Sequence, residues 1–202
     1  MDYLELVQQL EQRQVLSTPA IIAAFRAMRR DKFLPADVVE FAGEDHPLPI
    51  GHGQTNSQPY TVAFMLELLQ PRAGQRILDV GCGSGWTTVL LAHIVGATGQ
   101  VIGTERVAEL AGRARQRINA AAIDNACIEH TPEQMGYPQR QPYDCILVSA
   151  AATQLPAELV EQLAEGGVMV IPVQHSIYRI EKTATGLASD EYPGFSFVPL
   201  LS

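Results

Sequence analysis

The chain has 202 residues, of which 47% are hydrophobic and 18% are charged, and its formal net charge is −8. This length suits one domain with a sizeable core, and the composition excludes a disordered or fibrous protein. The acidic balance disfavours a nucleic-acid partner, because a phosphate backbone would be repelled unless the few cations were clustered on one face.

The N-terminal stretch and the cysteines limit the compartment and the kind of site. The start "MDYLELVQQLEQRQ" has no basic leader region, and no apolar run approaches the roughly 18 residues of a membrane span. We therefore expect a cytoplasmic protein with no membrane partner. The three cysteines, Cys82, Cys127 and Cys145, are odd in number and lack CxxC spacing, so we expect neither a disulfide framework nor a bound metal.

The N-terminal quarter predicts two amphipathic helices followed by a connector. Apolar residues recur there at helical spacing: Leu4, Val7 and Leu10, then Ile21, Ile22, Phe25 and Met28. Ser17 can cap the second helix and Pro19 can open it. We treat residues 1–50 as a helical appendage with a proline-rich connector, and residues 51–202 as the main domain of a single compact unit.

From residue 75 onward, short β-rich runs alternate with helical stretches. The predicted strands are "QRILDV", "QVIGTE", "ACIEH", "YDCILVSA" and "GGVMVIPV", and the helices between them include "WTTVLLAHIV", "VAELAGRARQRINAAA" and "PAELVEQLAE". Such alternation is typical of a parallel α/β sheet covered by helices on both faces. Near the C-terminus, "SIYRIEKTAT" and "GFSFVPLL" flank a turn-rich "GLASDEYPG" and predict an antiparallel strand pair that ends the sheet.

A glycine-rich loop follows the first of these strands. In "ILDVGCGSGWTT", Gly81, Gly83 and Gly85 lie between a strand and a helix, where the backbone can approach a ligand and the helix offers free N–H groups. The alternative is a tight strand-to-helix turn with no ligand. The next strand ends in Glu105, which can accept hydrogen bonds from a ribose diol or can be a plain solvated residue. Together the loop and the acid indicate an adenosyl or dinucleotide ligand.

The form of this loop resembles motif I of class I S-adenosylmethionine-dependent methyltransferases, because Asp79 ends the strand and the third glycine comes one residue too early for a dinucleotide fingerprint. The resemblance implies a Rossmann-like fold, S-adenosylmethionine as cofactor, a glycine loop beneath its methionine part and an acid on its ribose. The cofactor-binding residues that it implies are Asp79, Gly81, Cys82, Gly83, Gly85, Glu105, Arg106, Glu133 and Ser149.

Four spaced motifs narrow the resemblance to protein-L-isoaspartate O-methyltransferases. They are "RRDKFLP", "GHGQTNSQPYTVAFMLELLQP", "YDCILVSAAATQLPAELVEQLAEGGVMVIPV" and "FVPL", in the family's order over nearly the whole chain, with Asn56 in place of the usual Ile. The resemblance implies methyl transfer to the free carboxylate of isoaspartyl and D-aspartyl residues in damaged proteins, which starts repair through a succinimide. We expect a monomer or a weak homodimer. The implied substrate-binding residues are Gln54, Thr55, Asn56, Ser57, Gln58, Pro59, Ala150, Ala151 and Val198, with Ser57 and Thr55 in catalysis.

The chemistry of such a transfer explains why a polar loop precedes an apolar helix. A carboxylate with a pKa near 4 is already a nucleophile at neutral pH, so alignment matters more than a base. Thr55 and Ser57 can donate hydrogen bonds that orient the carboxylate. Ser57 could instead cap the helix that begins near Pro59.

Besides Asn56, two further departures from the family's pattern keep other interpretations open. Thr131, Pro132 and Glu133 occupy the positions of the family's usual Gly-Asp-Gly, whose acid reaches the adenine of the cofactor. Either Glu133 takes over this contact, or the base is held by shape and backbone alone. The usual glycine after "PV" is also missing. The alternatives are a methyltransferase with another carboxylate, a small molecule or a tRNA base as acceptor, or a non-catalytic cofactor-binding module.

Overall fold

The structure is a computed structural model that describes residues 1–201; Ser202, the last residue of the predicted main domain, lies outside the described residues. The N-terminal part contains helices α1 (Tyr3–Gln12) and α2 (Pro19–Ala27), then two 3₁₀ turns at Arg30–Phe33 and Val39–Phe41. A short hairpin of β1 (Leu48–Gly51) and β2 (Gln54–Asn56) follows and leads into α3 (Pro59–Leu69).

The two predicted N-terminal helices are present, but the second one is not capped as expected. Pro19 opens α2, as the sequence indicates, while Thr18 and not Ser17 occupies the N-cap position, and its side chain makes no cap hydrogen bond. The reason is Glu67 of α3, whose carboxylate accepts from both hydroxyls, at 3.3 Å from Ser17 and 2.6 Å from Thr18. Glu67 therefore fixes the entry to α2 from a distant part of the chain.

The main sheet has seven strands. Its elements in chain order are β3 (Arg76–Val80), α4 (Trp86–Val95), β4 (Gln100–Glu105), α5 (Ala108–Ala120), β5 (Ala126–His130), β6 (Tyr143–Val148), α6 (Ala157–Gln162), β7 (Leu163–Val173), β8 (Ser176–Thr183) and β9 (Gly186–Pro193). The strand order is β5-β4-β3-β6-β7-β8-β9, in which β8 pairs antiparallel with both β7 and β9 and all other neighbouring strands are parallel. The predicted Rossmann-like fold is confirmed. The order reverses at β3 and β6, which opens a crevice at the carboxyl ends of the strands.

The C-terminal strand pair is antiparallel as predicted, but its second strand is the segment that looked like a turn. β9 consists of residues 186–193, and the actual turn contains only Ala184 and Thr185. Most side chains of β9 are exposed, so an apolar alternation that would reveal a strand is missing. The predicted strand "GFSFVPLL" instead runs beside Ala151, which donates to Val198 O and accepts from Leu200 N, both at 2.8 Å.

The predicted helix "PAELVEQLAE" is also shorter in the structure. α6 ends at Gln162, and β7 begins at once with Leu163. Lys182 of β8 donates to the carbonyls of Val160 (2.9 Å) and Leu163 (2.7 Å) and so satisfies the end of the helix. This cross-sheet contact cannot be read from local helical spacing.

One hydrophobic core joins the N-terminal helices to the sheet. Trp86, at the start of α4, is 1% exposed and meets the ring of Phe25 edge to face, with ring centroids 5.6 Å apart. Its indole N–H donates to Met28 O at 2.8 Å, and the Tyr3 hydroxyl donates to Phe25 O at 3.0 Å. The appendage and the main domain therefore share buried surface. Within residues 1–201, each helix is too short or too polar to cross a bilayer.

Candidate functional site

A pocket lies at the carboxyl edge of β3, β4 and β6, where the strand order reverses. The segments that surround it include the glycine loop (residues 81–85), the polar loop (residues 54–57) and the C-terminal segment (residues 198–201). Most of the side chains predicted to form a site converge here from distant parts of the sequence. The pocket is the location that a doubly wound sheet favours for a ligand.

The glycine loop adopts a backbone that favours glycine. Gly81, Gly83 and Gly85 have φ values of +73°, +52° and +85°. Gly81 and Gly83 line the pocket together with Cys82. Gly85 does not line it: a Cβ atom there would lie 3.2 Å from that of Ala114, so this glycine permits close packing of α5. Cys82 is buried, which raises the pKa of its thiol well above the usual value and leaves it a neutral lining group.

Glu105 ends β4 and faces the same pocket. The side chain is 5% exposed, and its two oxygens accept from the backbone N–H groups of Gly83 (3.0 Å) and Val107 (2.9 Å). The carboxylate thus holds the glycine loop while its remaining lone pairs stay available to a ligand. Arg106, the next residue, also lines the pocket.

Asp79 is placed behind the glycine loop and not in the pocket wall. It is fully buried, and one oxygen accepts from the hydroxyls of Thr87 (2.7 Å) and Thr88 (2.6 Å). Burial raises the pKa of Asp79 to about 6, against the effect of these two hydrogen bonds. Among residues 1–201 the other oxygen, Oδ1, has no hydrogen-bond partner. The structure therefore supports Asp79 as a buried anchor beneath the loop.

The polar loop contributes only part of the predicted substrate segment. Gln54, Thr55, Asn56 and Ser57 line the pocket, whereas Gln58 and Pro59 do not. Gln58 is the N-cap residue of α3, with its amide donating to Asp45 O at 2.9 Å, and Pro59 is buried in the first turn of α3. The interpretation of Ser57 as a helix cap is wrong, because Gln58 holds that position. Within the described chain, the hydroxyls of Thr55 and Ser57 make no hydrogen bond.

The opposite wall comes from the end of β6 and the C-terminal segment. Ser149, Ala150 and Val198 line the pocket as predicted. Ala151 does not; its backbone pairs with the C-terminal segment and so holds Val198 in place.

A third wall follows β5, and here the structure departs from the sequence prediction. Thr131, Gln134 and Met135 line the pocket, while Glu133 is exposed and lies outside the lining. The chain bends at residues 132 and 133, which turns Gln134 and not Glu133 inward. The sequence predicted an acid at this wall, whereas the structure places the neutral Gln134 there.

The sequence prediction also did not include Ser84, which lines the pocket, or Arg30, which lies behind the polar loop. Arg30, fully buried after α2, donates from Nε to Asn56 Oδ1 at 2.7 Å, and Ser84 of the glycine loop accepts from Asn56 Nδ2 at 2.9 Å. The only signal for Arg30 was its place in "RRDKFLP". For metals, no group of three or more His, Cys, Asp or Glu residues forms a candidate site in residues 1–201.

Comparisons with known proteins agree with this geometry. The family described as Protein-L-isoaspartate(D-aspartate) O-methyltransferase (PCMT) matches residues 1–202. The protein-L-isoaspartate O-methyltransferase of Ignicoccus hospitalis is 39% identical, with 98% of this chain and 96% of the relative covered. That of Methanopyrus kandleri is 40% identical, with 97% and 89% covered.

Among solved structures, the chain is similar to a putative protein-L-isoaspartate O-methyltransferase from Plasmodium falciparum in complex with S-adenosyl-L-homocysteine. The TM-score is 0.87 at 28% identity, and the match covers 100% of this chain and 99% of that one. The similarity therefore includes the N-terminal helices as well as the sheet.

Proposed function

Because this chain belongs to the protein-L-isoaspartate(D-aspartate) O-methyltransferase family, we propose that its sheet-edge pocket holds both reactants of a methyl transfer. The methyl donor is S-adenosylmethionine, and the acceptor is the free carboxylate of an isoaspartyl residue in a protein or peptide. The observation that carries the proposal is that the glycine loop and the polar loop face one pocket and touch each other, with Asn56 Nδ2 2.9 Å from Ser84 Oγ.

The donor side has groups that fit S-adenosylmethionine. Glu105 lies at a strand tip with lone pairs free for a ribose diol. The N–H groups of Gly81 and Gly83 are already bound, to Thr104 O (2.9 Å) and Glu105 (3.0 Å). Those of Cys82 and Gly85 are bound as well, to Thr104 O (3.0 Å) and Cys82 O (2.8 Å). The N–H of Ser84 and those of the first turn of α4, which lines the same pocket, are therefore left for a ligand. When bound, the donor supplies an activated methyl group on a sulfonium.

The wall after β5 fits an adenine held by shape and neutral groups. Thr131, Gln134 and Met135 offer apolar surface and one amide, and Glu133 faces away. This arrangement disfavours the first of the two predicted ways of binding the base, in which Glu133 reaches the adenine. It also makes Gln134 the side chain best placed to hydrogen-bond the base edge.

The acceptor side has neutral donors without partners. An isoaspartyl residue carries its α-carboxylate as a branch beside the chain, so the enzyme must orient a carboxylate. The hydroxyls of Thr55 and Ser57 line the pocket and are not engaged within residues 1–201. They can donate to that carboxylate without protonating it, which leaves the nucleophile intact. Catalysis is then mostly alignment for in-line displacement.

A pair of variants tests these roles. Ser57→Ala should lower kcat/KM for an isoaspartyl peptide by about tenfold to a hundredfold, where each tenfold corresponds to ~1.36 kcal/mol of transition-state binding. Its affinity for S-adenosylhomocysteine should stay nearly unchanged, because the hydroxyl is proposed to orient the acceptor and not the donor. Glu105→Ala should instead weaken S-adenosylhomocysteine by about 1.5–3 kcal/mol, the loss expected for charge-assisted hydrogen bonds. Calorimetry measures the affinity for S-adenosylhomocysteine, steady-state kinetics measures kcat/KM, and the melting temperature of the same preparations shows whether each variant is stably folded. Normal kinetics in Ser57→Ala, or unchanged affinity in Glu105→Ala, would remove that residue from the site.

A further inference from the structure

A buried cation stands behind the polar loop. Arg30 is 0% exposed, and its guanidinium lies over the Trp86 ring at 5.8 Å from the centroid. Burial lowers the pKa of Arg30 to about 10, so the group remains charged at neutral pH. All of its hydrogen-bond acceptors are neutral oxygens; those within 3.2 Å are the carbonyls of Glu44, His46, Asn56 and Ser57 and the side chain of Asn56.

These contacts give Arg30 a specific position in the site. It joins the connector, through Glu44 and His46, to the two residues of the polar loop that precede α3. A buried charge that loses its acceptors is costly, so the carbonyls and the guanidinium hold each other in one arrangement. The backbone that carries the Ser57 hydroxyl is therefore fixed from behind.

The side chain of Asn56 extends this arrangement to the glycine loop. Arginine can only donate, so the atom 2.7 Å from Arg30 Nε must be the amide oxygen of Asn56. The amide nitrogen then faces Ser84 Oγ at 2.9 Å and donates to it. The orientation of the amide is thus settled by chemistry. Asn56 is 4% exposed, so its polar atoms serve the protein and offer little to a ligand.

We propose that Asn56 is a positioning residue that sets the spacing between the two loops, by linking the Arg30 guanidinium to the Ser84 hydroxyl. This inference rests on the proposed function, in which the polar loop orients the acceptor and the glycine loop lies beside the donor. An in-line transfer needs the two reactants aligned closely, and a displacement of about 1 Å can cost about a hundredfold in rate. A hydrogen-bonded link between the loops is a direct way to keep that alignment.

The chemistry of the link defines which substitutions break it. Asn56→Leu keeps a similar shape but removes both hydrogen bonds. Ser84→Ala removes only the bond to the glycine loop and leaves the Arg30 contact. Asn56→Asp can keep both, because one carboxylate oxygen accepts from Arg30 and the other can accept from the Ser84 hydroxyl. Asn125→Leu is the matched control, since its amide also bridges elements, to Ala92 O (2.9 Å) and Gly96 O (2.8 Å), away from the pocket.

The test is a double-mutant cycle on Asn56 and Ser84. With saturating S-adenosylmethionine, Asn56→Leu should lower kcat for an isoaspartyl peptide by about tenfold to a hundredfold. Ser84→Ala should lower it in the wild-type background and have no further effect in Asn56→Leu. Affinity for S-adenosylhomocysteine should change less than about threefold in both, and Asn56→Asp should recover part of kcat. Asn125→Leu should lower the melting temperature with kcat unchanged. Additive losses from the two single changes, or equal losses in Asn56→Asp and Asn56→Leu, would overturn the proposal.

Amide hydrogen exchange provides a readout that does not depend on turnover. Exchange in residues 54–57 should become faster in Asn56→Leu and in Ser84→Ala, and should stay unchanged in Asn125→Leu. Unchanged exchange in Ser84→Ala would contradict the link even if Asn56→Leu failed to fold. Absence of turnover by the wild-type enzyme on the isoaspartyl peptide would count against the proposed function, while the exchange data would still test the link.

Discussion

At the residue scale, Asp79 shows how a buried acid makes stability depend on pH. Its neighbours are the hydroxyls of Thr87 and Thr88, and burial raises its pKa to about 6. In the unfolded chain the same side chain is solvated and ionises near pH 4. Between about pH 4 and pH 6 the folded protein therefore holds a proton that the unfolded chain has lost. The contribution of Asp79 to stability is full below this range, falls as pH rises through it and stays lower above it.

Asp79→Asn removes this ionisation while its amide oxygen can still accept from both hydroxyls. The free energy of unfolding of the variant relative to wild type should therefore shift in favour of the variant between pH 4 and pH 7, by up to about 3 kcal/mol. Urea unfolding of both proteins at pH 4 and pH 7 gives the difference between their free energies of unfolding. The contributions of the other titrating groups are common to both proteins and cancel from this difference. A difference that is the same at pH 4 and pH 7 would show that Asp79 does not titrate in this range.

At the scale of elements, the turn from β3 into α4 depends on glycine for two reasons. Gly85 has φ at +85° and approaches Ala114 of α5 so closely that a Cβ atom would lie 3.2 Å from the alanine Cβ. An L-residue in this region of backbone costs about 1–2 kcal/mol before any crowding. Glycine is therefore favoured at this turn for two reasons: any other residue would strain the backbone, and a side chain would crowd α5.

Gly85→Ala should lower the free energy of unfolding by about 1–3 kcal/mol, from backbone strain and displacement of α5. The matched control is Gly112→Ala within α5, where a Cβ would meet no atom within 4 Å and φ is not positive. That change should stabilise the protein by about 0.4–1 kcal/mol, because it restricts the unfolded chain. Urea unfolding tests whether Gly85→Ala lowers the free energy of unfolding and Gly112→Ala raises it. Equal effects in the two would contradict the account of the turn.

The elements that the sequence predicted well are those whose own residues determine them. α4, β4 and β5 span the predicted "WTTVLLAHIV", "QVIGTE" and "ACIEH". α4 and β4 are mostly buried and so carry apolar runs between glycine and polar breaks, while β5, in which only Ile128 is buried, is marked by its β-prone residues and its place after a helix. β9 was not predictable, since an exposed edge strand carries no such pattern. The site shows the same division. Its loops could be predicted from motifs, whereas Arg30 and Ser84 contribute through contacts with Asn56, 26 and 28 residues away in sequence.

At the scale of the whole molecule, the N-terminal helices belong to the same core as the sheet. Trp86, the single tryptophan of the chain and the first residue of α4, lies at their junction and packs against Phe25 of α2. The division into an appendage of residues 1–50 and a main domain of residues 51–202 within one compact unit stays a prediction. The predicted cytoplasmic location and monomeric or weakly dimeric state stay predictions.

The shared core predicts one cooperative unfolding transition. Fluorescence of Trp86, which reports the junction, and far-ultraviolet circular dichroism, which reports the sheet and helices, should give coincident urea transitions. Phe25→Ala, which removes a ring from the junction, should shift both together by about 3–5 kcal/mol. A fluorescence transition at a lower urea concentration than the dichroism transition would mean that the N-terminal helices unfold on their own.

In the proposed function, one pocket brings S-adenosylmethionine and an isoaspartyl carboxylate into line. The most direct measurement is transfer of a tritiated methyl group from S-adenosylmethionine to an isoaspartyl peptide, beside the otherwise identical aspartyl peptide. The account predicts rapid, base-labile labelling of the isoaspartyl peptide, at least about a hundredfold above its aspartyl twin, because a site that orients a polar group rejects a substrate that misplaces it. Equal labelling of the two peptides, or none of the isoaspartyl peptide by folded enzyme that binds the donor, would contradict it.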